Sequence, residues 1–281
     1  MGHHLELGSP SLALFDTHSH FHDHKFDTDR AEALGRARAA GVQLILSLGD
    51  SLAASRAAIQ LSQDNPGVLA AAGIHPQNAR CWDAETAEQL ELLLEDPAVA
   101  VLGEIGLDYY WDRSPEFLRQ QHEAFRAQLQ IAKRRGFAVS IHSRECNDEV
   151  LQVLEEENGS EIGGVLHCFN GTYEQARRGI DMGFVLGVGG TSTYPKSGDL
   201  RDVLRRVGIA HLVVETDAPY LPPQAYRGKR NEPAFVADTA KALAATLGLD
   251  PAEVAERTYQ NGLKALRIPS RFHSPTSEHS A

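Results

Sequence analysis

Leu14-Phe15-Asp16-Thr17-His18-Ser19-His20-Phe21 is a short apolar run that closes on a carboxylate and two histidines spaced two apart. In an extended segment alternate side chains point the same way, so His18 and His20 can reach one metal ion together. Among 13 histidines one such pair is weak evidence. Four later segments share its shape: VAVLGE closes on Glu104, FAVSIH on His142, GGVLH on His167 and HLVVETD on Asp217. The five runs read as strands of one fold whose ends converge.

Working outward, apolar runs at 12–16, 42–48, 68–74, 99–104, 137–142, 163–168, 184–189 and 212–217 alternate with segments of helical period. Several are unbroken Val, Ile, Leu and Ala, the pattern of parallel strands buried on both faces. Alternating strands and helices predict a parallel sheet, and eight units without a break favour an α/β, single-domain (β/α)8 TIM barrel. Such barrels typically run to about 250 residues, close to the 281 here. The barrel is expected over 12–268, with an N-terminal extension at 1–11 and a polar, disordered tail at 269–281. The clearest helix is 115–135. Pro115 suits a first helical position, Ser114 is available as its cap, and Phe117, Leu118, Phe125, Leu129 and Ala132 form the apolar stripe. Gly136 ends it after three cations. Two more helices, about 233–247 and 251–266, follow the last strand.

Composition narrows the function. Hydrophobic content of 42% with 23% charged residues is that of an ordinary globular chain. No apolar run approaches the roughly 20 residues that span a bilayer, so no membrane partner is expected. The start lacks a cationic segment followed by an apolar one and reads as no signal peptide; His3 and His4 are excluded from any site. Cys81, Cys146 and Cys168 form no CxxC and cannot all pair, which points to a reducing compartment and a cytoplasmic location. A net charge of −11 argues against a broad non-specific grip on nucleic acid. It leaves room for a pocket that holds one or two phosphates.

In a closed barrel, catalytic groups sit at the C-terminal ends of strands. His18, His20, Glu104, His142, His167 and Asp217 all fall there. A histidine at a strand end is commonly structural and a carboxylate there commonly caps a helix, but six such residues at five strand ends are hard to obtain from capping. Six ligands exceed one four-coordinate zinc and suit two divalent ions, which two-metal sites hold about 3.5–4 Å apart. Glu104 is the natural bridge, because a carboxylate has two oxygens and strand four lies between strands one and five. One ion would take His18, His20, Glu104 and Asp217; the other Glu104, His142 and His167. Asp217 is also the candidate general base toward a water made nucleophilic there. Four imidazoles favour Zn, Mn or Fe over Mg.

The motifs DTHSH (16–20), AAGIHP (71–76), GEIGLDYY (103–110), IHSR (141–144), LHCFNG (166–171), ETDAPYLPP (215–223) and RNEP (230–233) resemble, in order, those of the TatD family of metal-dependent deoxyribonucleases, within the amidohydrolase-like barrels. The resemblance covers about 14–267. It implies the same barrel, a two-metal site on the six residues named above, and hydrolysis of phosphodiester bonds in a DNA substrate, usually as a 3′-5′ exodeoxyribonuclease. That activity is often described as magnesium-dependent, which pulls against the ligand chemistry.

Around the ligands, His75 could bind a substrate phosphate, and Arg144 could fork onto one. Tyr110 and Trp111 could stack on a base, although packing of the long loop is the stronger reading. Arg230 and Asn231 could line the pocket, although Asn231 also reads as a helix start. His22 and His24 are assigned to the surface, and Cys168 to a small buried hydrophobe. Asp16 reads as support for its neighbours. Two alternatives stay open: a two-metal hydrolase of another bond, such as an aminoacyl-tRNA ester, an amide or a lactone, and a catalytically silent barrel used for binding. Oligomeric state is open, a monomer being compatible with the sequence.

Overall fold

The computed structural model describes residues 13–272. Eight parallel strands form one sheet in sequence order: β1 (Leu14–Ser19), β2 (Val42–Leu48), β3 (Val68–Ala72), β4 (Val99–Asp108), β5 (Val139–Arg144), β6 (Gly164–Leu166), β7 (Phe184–Val188) and β8 (Leu212–Val214). Helices α1 (Arg30–Ala39), α2 (Leu52–Asp64), α3 (Ala84–Leu93), α4 (Pro115–Arg135), α5 (Asn147–Glu156), α6 (Tyr173–Asp181) and α7 (Gly198–Val207) fill the seven crossovers, and α8 (Val236–Leu247) and α9 (Pro251–Ala265) follow β8. The sheet is drawn shut at the mouth. Ser19 bridges Ala218 in parallel, Thr17 Oγ1 donates to the Val214 carbonyl at 3.1 Å, and the Asp16 carboxylate accepts from Thr216 N and Oγ1 at 2.8 and 2.7 Å. Asp16 is thus the expected support. One apolar cluster joins Phe15, Leu46, Val101, Val165 and Val213 from strands around the sheet with Tyr259, Leu266 and Ile268 at the end of the chain. A larger one packs strands against helices.

Strand ends differ from expectation in ways that matter for chemistry. Glu104 does not end β4; the strand runs on to Asp108. β6 and β8 stop at Leu166 and Val214, so His167 and Asp217 sit on the loops just beyond. The chain leaves the extended conformation at Cys168 and Asp217, whose φ values are +46° and +59°. The β1–β2 register slips twice, between Leu14 and Phe15 and between Asp16 and Ser19, so strict period two fails along β1.

α4 occupies its expected bounds and ends on Gly136 at φ +78°. Ser114 makes no side-chain cap; its amide is instead held by Asp112 Oδ1 at 2.8 Å. Two buried glutamines on α4 reach into the barrel. Gln121 accepts from Asp108 N (2.8 Å) and donates to Asp108 O (2.9 Å), and Gln128 does the same to Ile74 (2.8 and 3.0 Å). Each satisfies two backbone groups at a strand end where no neighbouring strand is available. The expected extension at 1–11 lies outside the described residues, as does the tail from 273. The tail's first part is ordered: Ser270–Phe272 forms a 3-10 turn, with Phe272 against the inner cluster.

Candidate active site

The six candidate ligands converge at one mouth of the barrel. Glu104 Oε2 lies 3.5 Å from His18 Nε2 and 3.4 Å from His20 Nε2, and Asp217 Oδ1 lies 3.9 and 3.6 Å from the same two nitrogens. Four ligand atoms around a tetrahedral ion with bonds of about 2.1 Å stand roughly 3.4 Å apart. The spacing therefore fits an ion among them.

Hydrogen bonds fix which nitrogen points inward. His20 Nδ1 is 2.9 Å from the Leu48 carbonyl, which only accepts, so that nitrogen carries the hydrogen and Nε2 of the neutral ring presents a lone pair. This Nε2 faces two carboxylate oxygens, which either a bound cation or a proton on Nε2 satisfies. His18 is held by Ser140 Oγ at 3.0 Å through Nδ1, leaving its buried Nε2 without a hydrogen-bond partner. An outer partner on the far nitrogen is the usual way to aim a ligating histidine.

Glu104 faces both ways. Its Oε1 is 2.8 Å from His142 Nδ1, and Asp108 Oδ2 is 3.2 Å from His142 Nε2. Gly106 makes this possible: at φ +145° it brings β4 so near β5 that a Cβ there would lie 2.0 Å from the His142 carbonyl oxygen. His167 sits on the neighbouring strand end. Its ring stacks on His18 at 3.3 Å between centroids, and its Nε2 faces Asp217 Oδ1 at 3.8 Å. Its Nδ1 is 2.9 Å from Glu215 Oε1 but out of line for a hydrogen bond; that oxygen accepts from Cys168 N at 2.6 Å.

Electrostatics follow from this crowding. Burial opposes charge on His20, but Asp217 and Glu104 outweigh it and hold the imidazole well above its ordinary value. His142 behaves alike: burial lowers it, the Asp108 and Glu104 carboxylates raise it more, and it titrates at about 9. Burial raises Glu104 and Asp217, yet the surrounding histidines keep both below the usual carboxylate range. His18 goes down, first by burial and then by His167.

The remaining candidates separate. His75 is buried at the mouth; its Nδ1 accepts from Gln77 N at 3.1 Å, so Nε2 carries the hydrogen, 3.7 Å from Glu104 Oε1. It offers a donor rather than a lone pair, which suits a phosphate oxygen better than an ion. Burial lowers its pKa to about 3, so it stays neutral. Arg144 lies over Tyr110 at the rim. Tyr110 and Trp111 are exposed rather than packed into the loop. Arg230 is turned away: its guanidinium holds Asp29 at 2.6 and 2.8 Å and the Lys25 carbonyl at 2.7 Å, tying the β8 loop to α1. Asn231 is fully buried and staples that loop through the Thr216 and Tyr220 carbonyls. His22 is half-buried beneath His20 and bonds Ser47, whereas His24 is exposed. Cys168 is half-buried beside Thr191, with its thiol pushed far up by burial. Asp108 and Glu215 join the site although the sequence does not single them out. Both lie within motifs, but nothing in their spacing sets them apart from surface acids.

A (β/α)8 barrel whose mouth gathers histidines and carboxylates at metal-binding separations is the architecture of a metal-dependent hydrolase. The model of the family "TatD related DNase" matches residues 15–267. An uncharacterized metal-dependent hydrolase, YabD of Bacillus subtilis, is 35% identical over 91% of this chain and 99% of its own length. A 3'-5' ssDNA/RNA exonuclease, TatD of Erwinia billingiae, is 33% identical over 92% of this chain and its full length. The crystal structure of the TatD homolog YJJV from Escherichia coli superposes with a TM-score of 0.85 at 33% identity, covering 91% and 98% of the two chains. The chain belongs to the TatD family of metal-dependent hydrolases. Among the described residues no helix is long and apolar enough to cross a membrane.

Proposed function

We propose that the chain hydrolyses phosphodiester bonds in DNA with two divalent ions, removing nucleotides from the 3′ end. The observation that carries the reading is the two-faced Glu104, with Oε2 toward His18 and His20 and Oε1 toward His142. His18, His20, Glu104 and Asp217 would hold one ion, and Glu104, His142 and His167 the other. Bound there, the pair would neutralise phosphate charge and acidify the attacking water. Asp217 remains ionised and reaches the mouth, so it can take the proton as the water oxygen bonds to phosphorus and pass it to O3′ as the P–O3′ bond breaks. His75 Nε2–H donates toward a non-bridging oxygen. Four imidazoles favour Zn or Mn over Mg as the bound metals. The described cysteines are all free, and Cys81 is exposed, which supports a reducing, cytoplasmic setting.

The test is a substrate panel in Mg, Mn and Zn in turn. Single-stranded DNA shortened from its 3′ end, with chelator stopping the reaction, is the expected result. Cleavage of aminoacyl-tRNA or a lactone with nucleic acid left intact overturns the reading.

A further inference from the structure

Four of the five large apolar side chains exposed among the described residues lie on loops at the mouth: Tyr110 and Trp111 after β4, Tyr220 and Leu221 after β8. Trp111 is the most open, 65% exposed. Tyr110 and Trp111 meet edge to face at 4.8 Å, and the Arg144 guanidinium lies 3.7 Å over the Tyr110 ring and 5.5 Å from that of Trp111. Neighbouring arginines are neutralised, Arg80 by Asp112 and Arg113 by Glu145. The Arg144 guanidinium has no ion pair or hydrogen bond among the described residues, although the chain carries a net charge of −11. This guanidinium, two residues from His142, packs only on the exposed aromatic pair at the mouth.

The cluster is also tied to the site by hydrogen bonds. Asp108 Oδ1 accepts from Tyr110 N at 2.9 Å, while its Oδ2 faces His142 Nε2. Tyr109 N donates to the Arg144 carbonyl at 2.9 Å, and Arg113 Nε to the Tyr109 carbonyl at 2.6 Å. One carboxylate therefore sets both the imidazole and the platform.

We propose that Trp111, Tyr110 and Arg144 form a subsite for unpaired nucleotides next to the scissile phosphate, a base stacking on Trp111 and a backbone phosphate meeting the Arg144 guanidinium. The assignment rests on the phosphodiesterase reading and adds a selection rule. An aromatic face stacks any base without reading its sequence. A base inside a duplex has no free face to offer, so the subsite selects single strands.

The chain has two tryptophans, Trp82 and Trp111, so Trp82→Phe leaves Trp111 as the sole reporter. In that variant, kept in chelator, single-stranded oligothymidylate is expected to quench the fluorescence saturably, and a blunt duplex far less. Arg144→Ala lowers the salt dependence of binding by about one phosphate contact. With metal present, Trp111→Ala raises the oligonucleotide KM about tenfold while kcat changes little. That variant loses more on the oligonucleotide than on bis(p-nitrophenyl) phosphate, whereas Leu92→Ala, an exposed residue on α3, alters neither. An enzyme that degrades the oligonucleotide with no quenching of Trp111 and no KM change overturns the subsite and leaves the proposed function standing. An enzyme that degrades no nucleic acid at all overturns both.

Discussion

Replacing Asp108 by asparagine removes one charge and almost no volume, so it isolates what the carboxylate does for His142. In the parent, Asp108 Oδ2 lies 3.2 Å from His142 Nε2, and its Oδ1 holds Tyr110 N. Asparagine can keep the second bond. A hydrogen bond to a charged group contributes about 1.5–3 kcal/mol, and one pKa unit corresponds to about 1.4 kcal/mol. The metal-free His142 should therefore titrate about 1–2 units below its parent value of about 9. Asp108 also keeps the hydrogen on Nε2 and so leaves Nδ1 to face Glu104 as a ligand atom. Losing such an outer partner lowers metal affinity roughly 10–100-fold. The loss should fall on the ion that Glu104 and His142 would hold and spare the one that His18, His20 and Asp217 would hold. Histidine NMR titration of the metal-free protein reads the first quantity, and competition with a metal indicator reads the second. Unchanged titration together with unchanged metal affinity would mean that Asp108 does not hold His142.

Three further outcomes follow from the geometry. Metal-free protein should lose stability as pH rises through about 9, because His142 is raised in the folded state from an ordinary 6.5. Its contribution, on the order of 3 kcal/mol, is fully present below about pH 6.5, and urea denaturation across that window reads it; a flat profile counts against the His142 contacts. Gln121→Leu strips the Asp108 backbone of both partners and should cost about 2–4 kcal/mol in the same assay; a neutral substitution would mean that water replaces the clamp. Arg230→Ala should lower the unfolding midpoint, through loss of Asp29, and leave the oligonucleotide KM near that of the parent. A large KM increase without destabilisation would return Arg230 to the substrate.

Much of the barrel was readable because parallel strands buried on both faces leave unbroken apolar runs, and six of the residues that meet at the mouth stand at or just beyond the ends of such runs. Where the reading failed, tertiary contacts decided. Glu104 looked like a strand end because Gly103 and Gly106 break the apolar run, yet β4 continues to Asp108. Period two alone pairs His18 with His20. β1 slips register, and the two still meet at Glu104 Oε2 because their far nitrogens are anchored on other strands. Gln121 and Gln128 read as the polar side of a helix; only the fold shows that they end in backbone. Arg230 looked available because its partner, Asp29, lies 201 residues away in sequence. Asp108 and Glu215 face histidines that they do not neighbour in the chain.

Glu104 is proposed to join two ions into one phosphodiesterase site. The most direct test is the digestion of 5′-labelled single-stranded DNA by the parent and by Glu104→Ala, both shown to be folded, with saturating metal. A ladder shortened from the 3′ end is expected for the parent, abolished by chelation, and intact DNA for the variant. A variant that still shortens the DNA, or a parent that does so in chelator, would contradict the proposal.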